Sequence, residues 1–243
     1  MSHDLKDGLD ERYRRVLRSG QSLASILLDY EICPHCQHVH RIRARAARSC
    51  PVCKADIGSG RIYAPLMVYS LINLIQDLYR MELSRISVTG ERIVERKGAR
   101  HYVGILLLFC TLVECWMACF LRSLMVSHHL PKADIDRLLS DNWRLEDRKG
   151  RLFKTQTGEA FGNAIKDLTR RNKEAGGDLN YEGVWSSIEN AIKSRNKVIH
   201  NGAIRAFPEH LIGECVRNID GVNQLFISLH NRYIAQASTS REA

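Results

Sequence analysis

Four of the eight cysteines form two matched pairs, Cys33-Pro-His-Cys36 and Cys50-Pro-Val-Cys53, separated by 13 residues. Each pair can bend into a tight turn that aims two thiolates at one point, and two such turns supply the four sulfurs that structural zinc prefers. A thioredoxin-like redox site would have one pair within a βαβ pattern instead. The charged start of the chain predicts a cytoplasmic, reducing environment in which disulfides are not expected. The sequence therefore predicts one structural Zn²⁺ per chain, bound by Cys33, Cys36, Cys50 and Cys53.

A second group of residues that could do chemistry lies in 184–202, near the end of a stretch with helical period. Asn196 and His200 are four residues apart and share one face of a helix. Gly202 is placed to end this helix, so His200 falls in the last turn, where the helix dipole favours a protonated imidazole. Arg195 coincides with an apolar stripe that predicts the buried face: Val184, Ile188, Ile192 and Ile199. A guanidinium on such a face is costly unless it meets a partner or faces a cleft.

Helix geometry alone does not bring these side chains together. Five residues advance about 500° around a helix, so Arg195 and His200 project roughly 140° apart. They reach one phosphate if the arginine bends around the helix, if the helix end deforms, or if a second subunit contributes. A two-fold interface along this helix would place two copies of each residue side by side. The structural alternative is a helix-capping His200, with Arg195 in a salt bridge to Glu189 or Glu114.

The segment between the two cysteine pairs is basic. Residues 37–49 contain no acidic side chain. Arg41, Arg43 and Arg45 alternate, so they would share one face of a strand, and Arg48 follows them. The whole chain has 36 Lys and Arg against 27 Asp and Glu, a net charge of +9 that favours a polyanionic partner such as nucleic acid. Two interpretations stay open, a phosphate-binding finger that weakens as salt rises and a solvated hairpin.

The remainder of the chain is patterned as helices. With 44% hydrophobic residues the chain can build a packed core, and few alternating runs argue against a β-sandwich. Apolar spacing predicts helices at about 65–83, 131–145, 158–173, 181–201 and from Pro208 to about 236. Two segments without helical period are predicted loops, 146–158 and 174–178. The predicted organisation is an N-terminal helical segment 1–27, a zinc ribbon 28–60, a connecting helix and loop 61–97 and a helical domain 98–236.

Residues 102–121 are apolar enough to suggest a transmembrane helix. Glu114 lies near the centre of this segment, where a charged side chain costs about 2.5–3.5 kcal/mol on insertion scales, and no second apolar span accompanies it. A buried core helix is therefore the favoured interpretation, and no membrane association is expected. Glu114 either supports the Arg195 and His200 cluster from a neighbouring position or is a buried structural carboxylate.

Two resemblances extend these inferences. The two cysteine pairs resemble a rubredoxin-type zinc ribbon over about residues 28–58. Arg195-Asn-Lys-Val-Ile-His200 resembles the Arg-x4–6-His motif of the HEPN superfamily, and the apolar helix with Glu114 and the long last helix are similar to HEPN core helices. This resemblance covers about residues 98–236 and implies a mainly α, HEPN-like helical bundle. It also implies a metal-independent endoribonuclease that acts as a homodimer with a composite site.

Applied to this chain, the resemblance implies that Arg195 binds the scissile phosphate, that His200 is a general acid or base, and that Asn196 orients one of them. Cleavage would leave a 2′,3′-cyclic phosphate. Some HEPN toxins carry a Tyr two residues after the His, where this chain has Gly202, so neutralisation by modification of that Tyr is not expected. A toxin, defence or stress role, with RNA as substrate and an antitoxin or regulatory protein as partner, follows from the family alone. The alternatives are a non-catalytic nucleic-acid- or protein-binding module and, more remotely, a membrane-associated sensor.

Overall fold

The computed structural model describes residue 24 and residues 30–41, 49–57, 61–89, 99–201 and 209–235. Within these ranges the chain is mainly helical, which confirms the mainly α prediction. The predicted N-terminal helical segment 1–27, apart from Ala24, lies outside the described residues. The same holds for Arg43, Arg45, Arg48 and Gly202.

The described residues contain eight α-helices. They are α1 (Leu66–Thr89), α2 (Ala99–Ser127), α3 (Lys132–Asp141), α4 (Leu145–Asp147), α5 (Phe153–Thr157), α6 (Phe161–Glu174), α7 (Tyr181–Asn201) and α8 (Glu209–His230). Two wider, π-helical segments continue α4 and α8, Arg148–Leu152 and Asn231–Ala235. The predicted helices at 181–201 and from Pro208 onwards therefore match α7 and α8 closely. Apolar residues three and four apart explain both matches, because this spacing places them on one side of a helix.

The predicted loop at 146–158 is wrong, because α4, a π-helical segment and α5 cover 145–157. Gly150 and the charges around it hide the helical period in the sequence. Leu145, Leu152 and Phe153 are buried and supply the apolar contacts that the pattern did not reveal. The predicted loop at 174–178 lies mostly in the connection between α6 and α7, where Gly176 adopts a positive φ of 76°.

A small antiparallel sheet precedes the helices. Its strands are β1 (Tyr30–Ile32), β2 (Val39–Arg41) and β3 (Arg61–Ile62), in the order β2-β1-β3. In the register, Glu31 pairs with His40 and Ile32 pairs with Val39. The His40 ring lies 3.2 Å from the Glu31 carboxylate across the two strands. The sheet is thus a short hairpin with a third strand on the other side of β1.

The chain divides into two compact units. The described part of the first consists mainly of Leu66–Val113 and Gly183–Val222. Its core contains both aliphatic and aromatic side chains, among them the buried Ile72, Leu106, Phe109 and Ile212. A Cβ atom at Gly221 would lie 2.8 Å from Val184 Cγ2, so α7 and α8 approach more closely here than a larger residue would allow.

The second unit contains the described residues of Leu27–Pro65, Glu114–Glu182 and Asn223–Ala243. Its core includes two groups of aromatic side chains. Trp116 stacks on Tyr63 and Phe226, with ring centroids 5.8 Å apart in each pair, and its indole Nε1 donates to Asn223 Oδ1 at 2.8 Å. A neighbouring cluster contains Phe120, Phe153, Phe161 and Tyr233. This unit holds the cysteine pairs.

Among the described residues, the segment His101–Ser127 is the one helix long and apolar enough to cross a membrane. Half of its most apolar stretch is buried inside the protein. A half-buried apolar helix is also typical of the core of a soluble protein, so this finding is weak evidence for a membrane span.

Candidate functional site

The four predicted ligand cysteines come together at one point. Their sulfur atoms all lie within 4.8 Å of one another. Cys33 Sγ is 3.7 Å from Cys53 Sγ, and Cys36 Sγ is 3.6 Å from Cys50 Sγ. Four sulfurs at about 2.3 Å from a tetrahedral ion would be about 3.8 Å apart, so the cluster has the size of a tetrahedral thiolate site. These four cysteines could hold a metal ion.

The two cysteine turns have the same backbone geometry. The amide of Gln37 donates to the carbonyl of Cys33, and the amide of Lys54 donates to the carbonyl of Cys50, both at 3.0 Å. Gln37 and Lys54 both adopt positive φ, 58° and 61°, which is uncommon for residues other than glycine. Each also donates from its side chain to the carbonyl of the proline in its own turn. The sequence pattern Cys-Pro-x-Cys thus builds two equivalent turns that face each other.

Burial and backbone contacts shift the pKa values of the Cys33, Cys36 and Cys53 thiols in different directions. Burial raises the pKa of the Cys33 thiol and raises the pKa of the Cys36 thiol to about 12. The backbone of Ala55 hydrogen-bonds to Cys53, the exposed member, and lowers the pKa of this thiol to about 7. A buried thiolate is costly without a positive charge beside it. A divalent cation bound by the four sulfurs would supply that charge.

The segment that carries the cysteine cluster is fastened to α8 and to the π-helical segment that follows it. Asn231 receives a hydrogen bond from the Val39 amide at 2.7 Å and donates to the Val39 carbonyl at 2.8 Å. His230 Nε2 donates to the carbonyl of Gln37 at 2.9 Å. Gln224 donates to the Tyr30 hydroxyl on β1. The side chains of Gln224, His230 and Asn231 therefore hold the segment that carries the cysteines. The sequence pattern did not indicate any of these three residues.

His230 is a buried neutral imidazole. Burial lowers its pKa to about 4, and the ring packs edge-on against Tyr63 with centroids 4.8 Å apart. Because Nε2 donates to Gln37, Nδ1 carries the lone pair, and this atom is buried without a hydrogen-bond partner among the described residues. Protonation would place a charge in this apolar contact between α8 and the ribbon.

The second group of predicted site residues lies at the end of α7. Arg195 Nε donates to Asn196 Oδ1 at 3.2 Å, so these two neighbouring side chains are joined. His200 is exposed in the last turn of the helix, and Asn196 is exposed as well. Arg195 is partly buried. The structure thus brings Arg195 to Asn196 and leaves His200 accessible to solvent one turn further on.

The expected buried stripe of α7 is wrong at its end. Val184 and Ile188 are buried as expected, but Ile192 is only partly buried and Ile199 is 56% exposed. Val198 occupies the buried position instead. The stripe therefore runs to one side of Arg195, which explains how a guanidinium is accommodated on this helix. Ile199 presents an apolar side chain to solvent beside His200.

Two other predicted site residues lie on different elements, Glu114 on α2 and Arg41 on β2. Glu114 is partly buried, and its backbone carbonyl accepts a hydrogen bond from Arg148 Nη1 at 3.4 Å. Arg41 is exposed at the end of β2. The next arginines of the same segment, Arg43, Arg45 and Arg48, lie outside the described residues.

No protein-family model, no curated protein and no solved structure matches this chain. The geometry of the cysteine cluster and of the α7 motif is therefore the basis for a functional assignment.

Proposed function

We propose that this protein is a metal-independent endoribonuclease of the HEPN type, with an N-terminal zinc ribbon that helps to bind RNA. The observation that carries the proposal is the α7 motif: Arg195 is joined to Asn196 by a hydrogen bond, and His200 stands exposed in the last turn of the same helix. A guanidinium that can bind phosphate and an accessible imidazole that can transfer a proton are the two groups that phosphodiester cleavage needs.

Each motif residue has a distinct role in the proposed reaction. Arg195 binds the scissile phosphate and stabilises the negative charge that grows on its oxygens. His200 acts as general base on the 2′-hydroxyl or as general acid on the 5′-oxygen that leaves. The 2′-oxygen attacks phosphorus, the bond to the 5′-oxygen breaks, and the products are a 2′,3′-cyclic phosphate and a 5′-hydroxyl. Asn196 positions the guanidinium through its hydrogen bond.

A homodimer would complete this site. Arg195 and His200 project roughly 140° apart on one helix, so a single α7 does not aim both at one phosphate. The exposed Ile199 lies between them in sequence and offers an apolar contact for a second copy of α7. Pairing two helices about a two-fold axis would place Arg195 of each copy near His200 of the other.

The four-cysteine cluster fits a structural Zn²⁺, because a closed set of four sulfurs leaves no position for substrate. In this role the ion contributes folding energy to a segment with a very small core of its own, the cysteines and Ile57. The proposed contribution of the ribbon to RNA binding comes from its basic side chains, of which that of Arg41 is exposed. Phosphate contacts of this kind weaken as the salt concentration rises.

RNA cleavage in EDTA tests the ribonuclease proposal. Wild type is expected to cut single-stranded RNA and to leave cyclic phosphate ends, whereas Arg195→Ala and His200→Ala should each lose about 100-fold or more. Arg137→Ala on α3 and His210→Ala at the start of α8 are matched controls, because both residues are exposed and outside the motif. Equal cleavage by all variants, or no cleavage of any RNA by wild type, would refute the assignment.

The second candidate is a binding module that does not cut. It is favoured by the way in which the ribbon is tied to α8 through Val39 and Asn231, since a rigid ribbon can present its hairpin to nucleic acid or protein without catalysis. RNA binding by wild type that is unchanged in His200→Ala, without any cleavage, would support this candidate.

A further inference from the structure

A surface cavity of about 530 Å³ lies between α2, α3 and the π-helical segment Arg148–Leu152 of the second unit. We propose that this cavity binds one nucleotide of single-stranded RNA, with the base on the Trp143 indole and the phosphate at Arg148 and Arg122. The identity of the ligand as RNA rests on the proposed function, whereas the chemistry of the site comes from its own lining.

The aromatic part of the cavity is an exposed tryptophan. Trp143 is 66% exposed, whereas Trp116 and Trp185 are buried. The guanidinium of Arg144 lies 5.0 Å from the centroid of the Trp143 ring and holds the indole in a cation–π contact. Arg144 does not line the cavity and Trp143 does, so the indole keeps a free surface on the cavity side. A large aromatic surface open to solvent is suited to stacking against a flat ring.

The polar part of the cavity is an arginine with a fixed position. Arg148 Nε donates to the carbonyl of Asn142 at 2.9 Å, and Nη1 donates to the carbonyl of Glu114 at 3.4 Å. These two partners are neutral, so they orient the guanidinium without cancelling its charge. Asn142 is itself 4% exposed and fixed by its side-chain bond to Leu138 and by two bonds from Arg151. The positive charge is therefore placed before any ligand arrives.

A second arginine can join the first. Arg122 lines the cavity and pairs with Asp136 at 2.8 Å, but both side chains are about half exposed. An ion pair with this exposure contributes little stability and can be exchanged for a pair with phosphate. None of the seven lining residues in the described part of the chain is acidic, and Leu139 adds an apolar wall. The lining thus favours an anion that carries an aromatic ring.

A nucleotide is the ligand that combines these properties. The cavity has the volume of a small-molecule site. Bases in a duplex are stacked on one another and cannot lie on an indole, so the site selects single strands. An acidic peptide would satisfy the arginines but would not need the tryptophan surface.

Binding is tested with a 2′-O-methyl oligoribonucleotide, which cannot be cleaved because the attacking hydroxyl is blocked. The oligonucleotide should quench the fluorescence of Trp143, and Trp143→Phe should remove that quenching. In an anisotropy assay with a labelled oligonucleotide, Trp143→Ala should weaken binding about 5- to 150-fold. Arg148→Ala should weaken it and reduce the slope of log affinity against log salt by about one. Arg137→Ala on α3 is the control, because Arg137 is exposed and does not line the cavity.

The possible outcomes separate this inference from the proposed function. If wild type cuts RNA but the oligonucleotide neither quenches Trp143 nor loses affinity in Trp143→Ala, the cavity proposal is refuted and the ribonuclease proposal stands. If the oligonucleotide binds at Trp143 and no RNA is cut, the cavity proposal stands alone. Equal quenching by duplex RNA or by polyglutamate would also overturn it, since neither offers an unstacked base.

Discussion

Asn231 provides the most direct test of how the ribbon is held. Its side chain makes two hydrogen bonds to the backbone of Val39 on the edge strand β2, at 2.7 and 2.8 Å. Val39 is 2% exposed, so water does not readily replace the lost partner. Asn231→Ala removes both bonds and leaves a buried amide and a buried carbonyl unsatisfied.

The magnitude follows from these two contacts. A typical hydrogen bond contributes about 1 kcal/mol to stability, and each buried group without a partner costs about 1–3 kcal/mol. Because Asn231→Ala leaves two such groups, we expect it to lower the free energy of unfolding by about 2–6 kcal/mol. The free energy of unfolding of Asn231→Asp should lie between those of wild type and Asn231→Ala, because a carboxylate accepts from the Val39 amide but repels the Val39 carbonyl.

Urea denaturation measures the free energy, and hydrogen exchange measures the protection of the Val39 amide. Asn163→Ala is the control, since Asn163 is exposed on α6 and should change stability by less than about 0.5 kcal/mol. If Asn231→Ala differs from wild type by no more than this control, with the Val39 amide equally protected, then the ribbon is not held by Asn231.

Two further predictions concern the metal and pH. Freshly purified protein should contain about one zinc per chain by metal analysis, and Cys36→Ser should lose it while Cys110→Ser, a buried cysteine outside the cluster, retains it. Equal zinc in the two variants would exclude this cluster as the site. Burial lowers the pKa of His230 to about 4, so between pH 6.5 and 4 the unfolded chain takes up a proton that the folded chain refuses. Stability should therefore fall through this range by up to about 3 kcal/mol, and His230→Asn should lose less in urea titrations at the same pH values. Parallel pH profiles of the two proteins would contradict this argument.

The elements that the sequence predicts well are those governed by local pattern. The helix over 181–201 has the same ends as α7, because apolar residues recur at three and four along its length. The two cysteine turns form from four residues each, and only their mutual approach is non-local. The four sulfurs within 4.8 Å of one another were therefore predictable from spacing and chemistry.

The predicted buried face of α7 is wrong at its end because a small rotation of the helix decides which side chains are buried. At 100° per residue from Val184, Val198 lies about 40° to one side of the stripe and Ile199 about 60° to the other. The sequence does not reveal which side faces the core, and the structure buries Val198. In the same way, the segment 146–158 depends on distant bonds, such as those from Arg151 to Asn142, that no local pattern reports.

The connection between the ribbon and α8 had no local signal at all, because its bonds join residues about 190 positions apart. Apolar spacing follows α8 as far as Leu229, and then the backbone widens into the π-helical segment Asn231–Ala235. A wider turn changes the direction of the side chains relative to a continued α-helix. This change allows Asn231 to meet the β2 edge while His230 reaches Gln37, one residue after the proposed ligand Cys36. A metal ion bound by the four cysteines would hold Cys36, and the next residue, Gln37, accepts the hydrogen bond from His230. We therefore expect removal of the ion to reduce hydrogen-exchange protection at the end of α8 as well as in the ribbon.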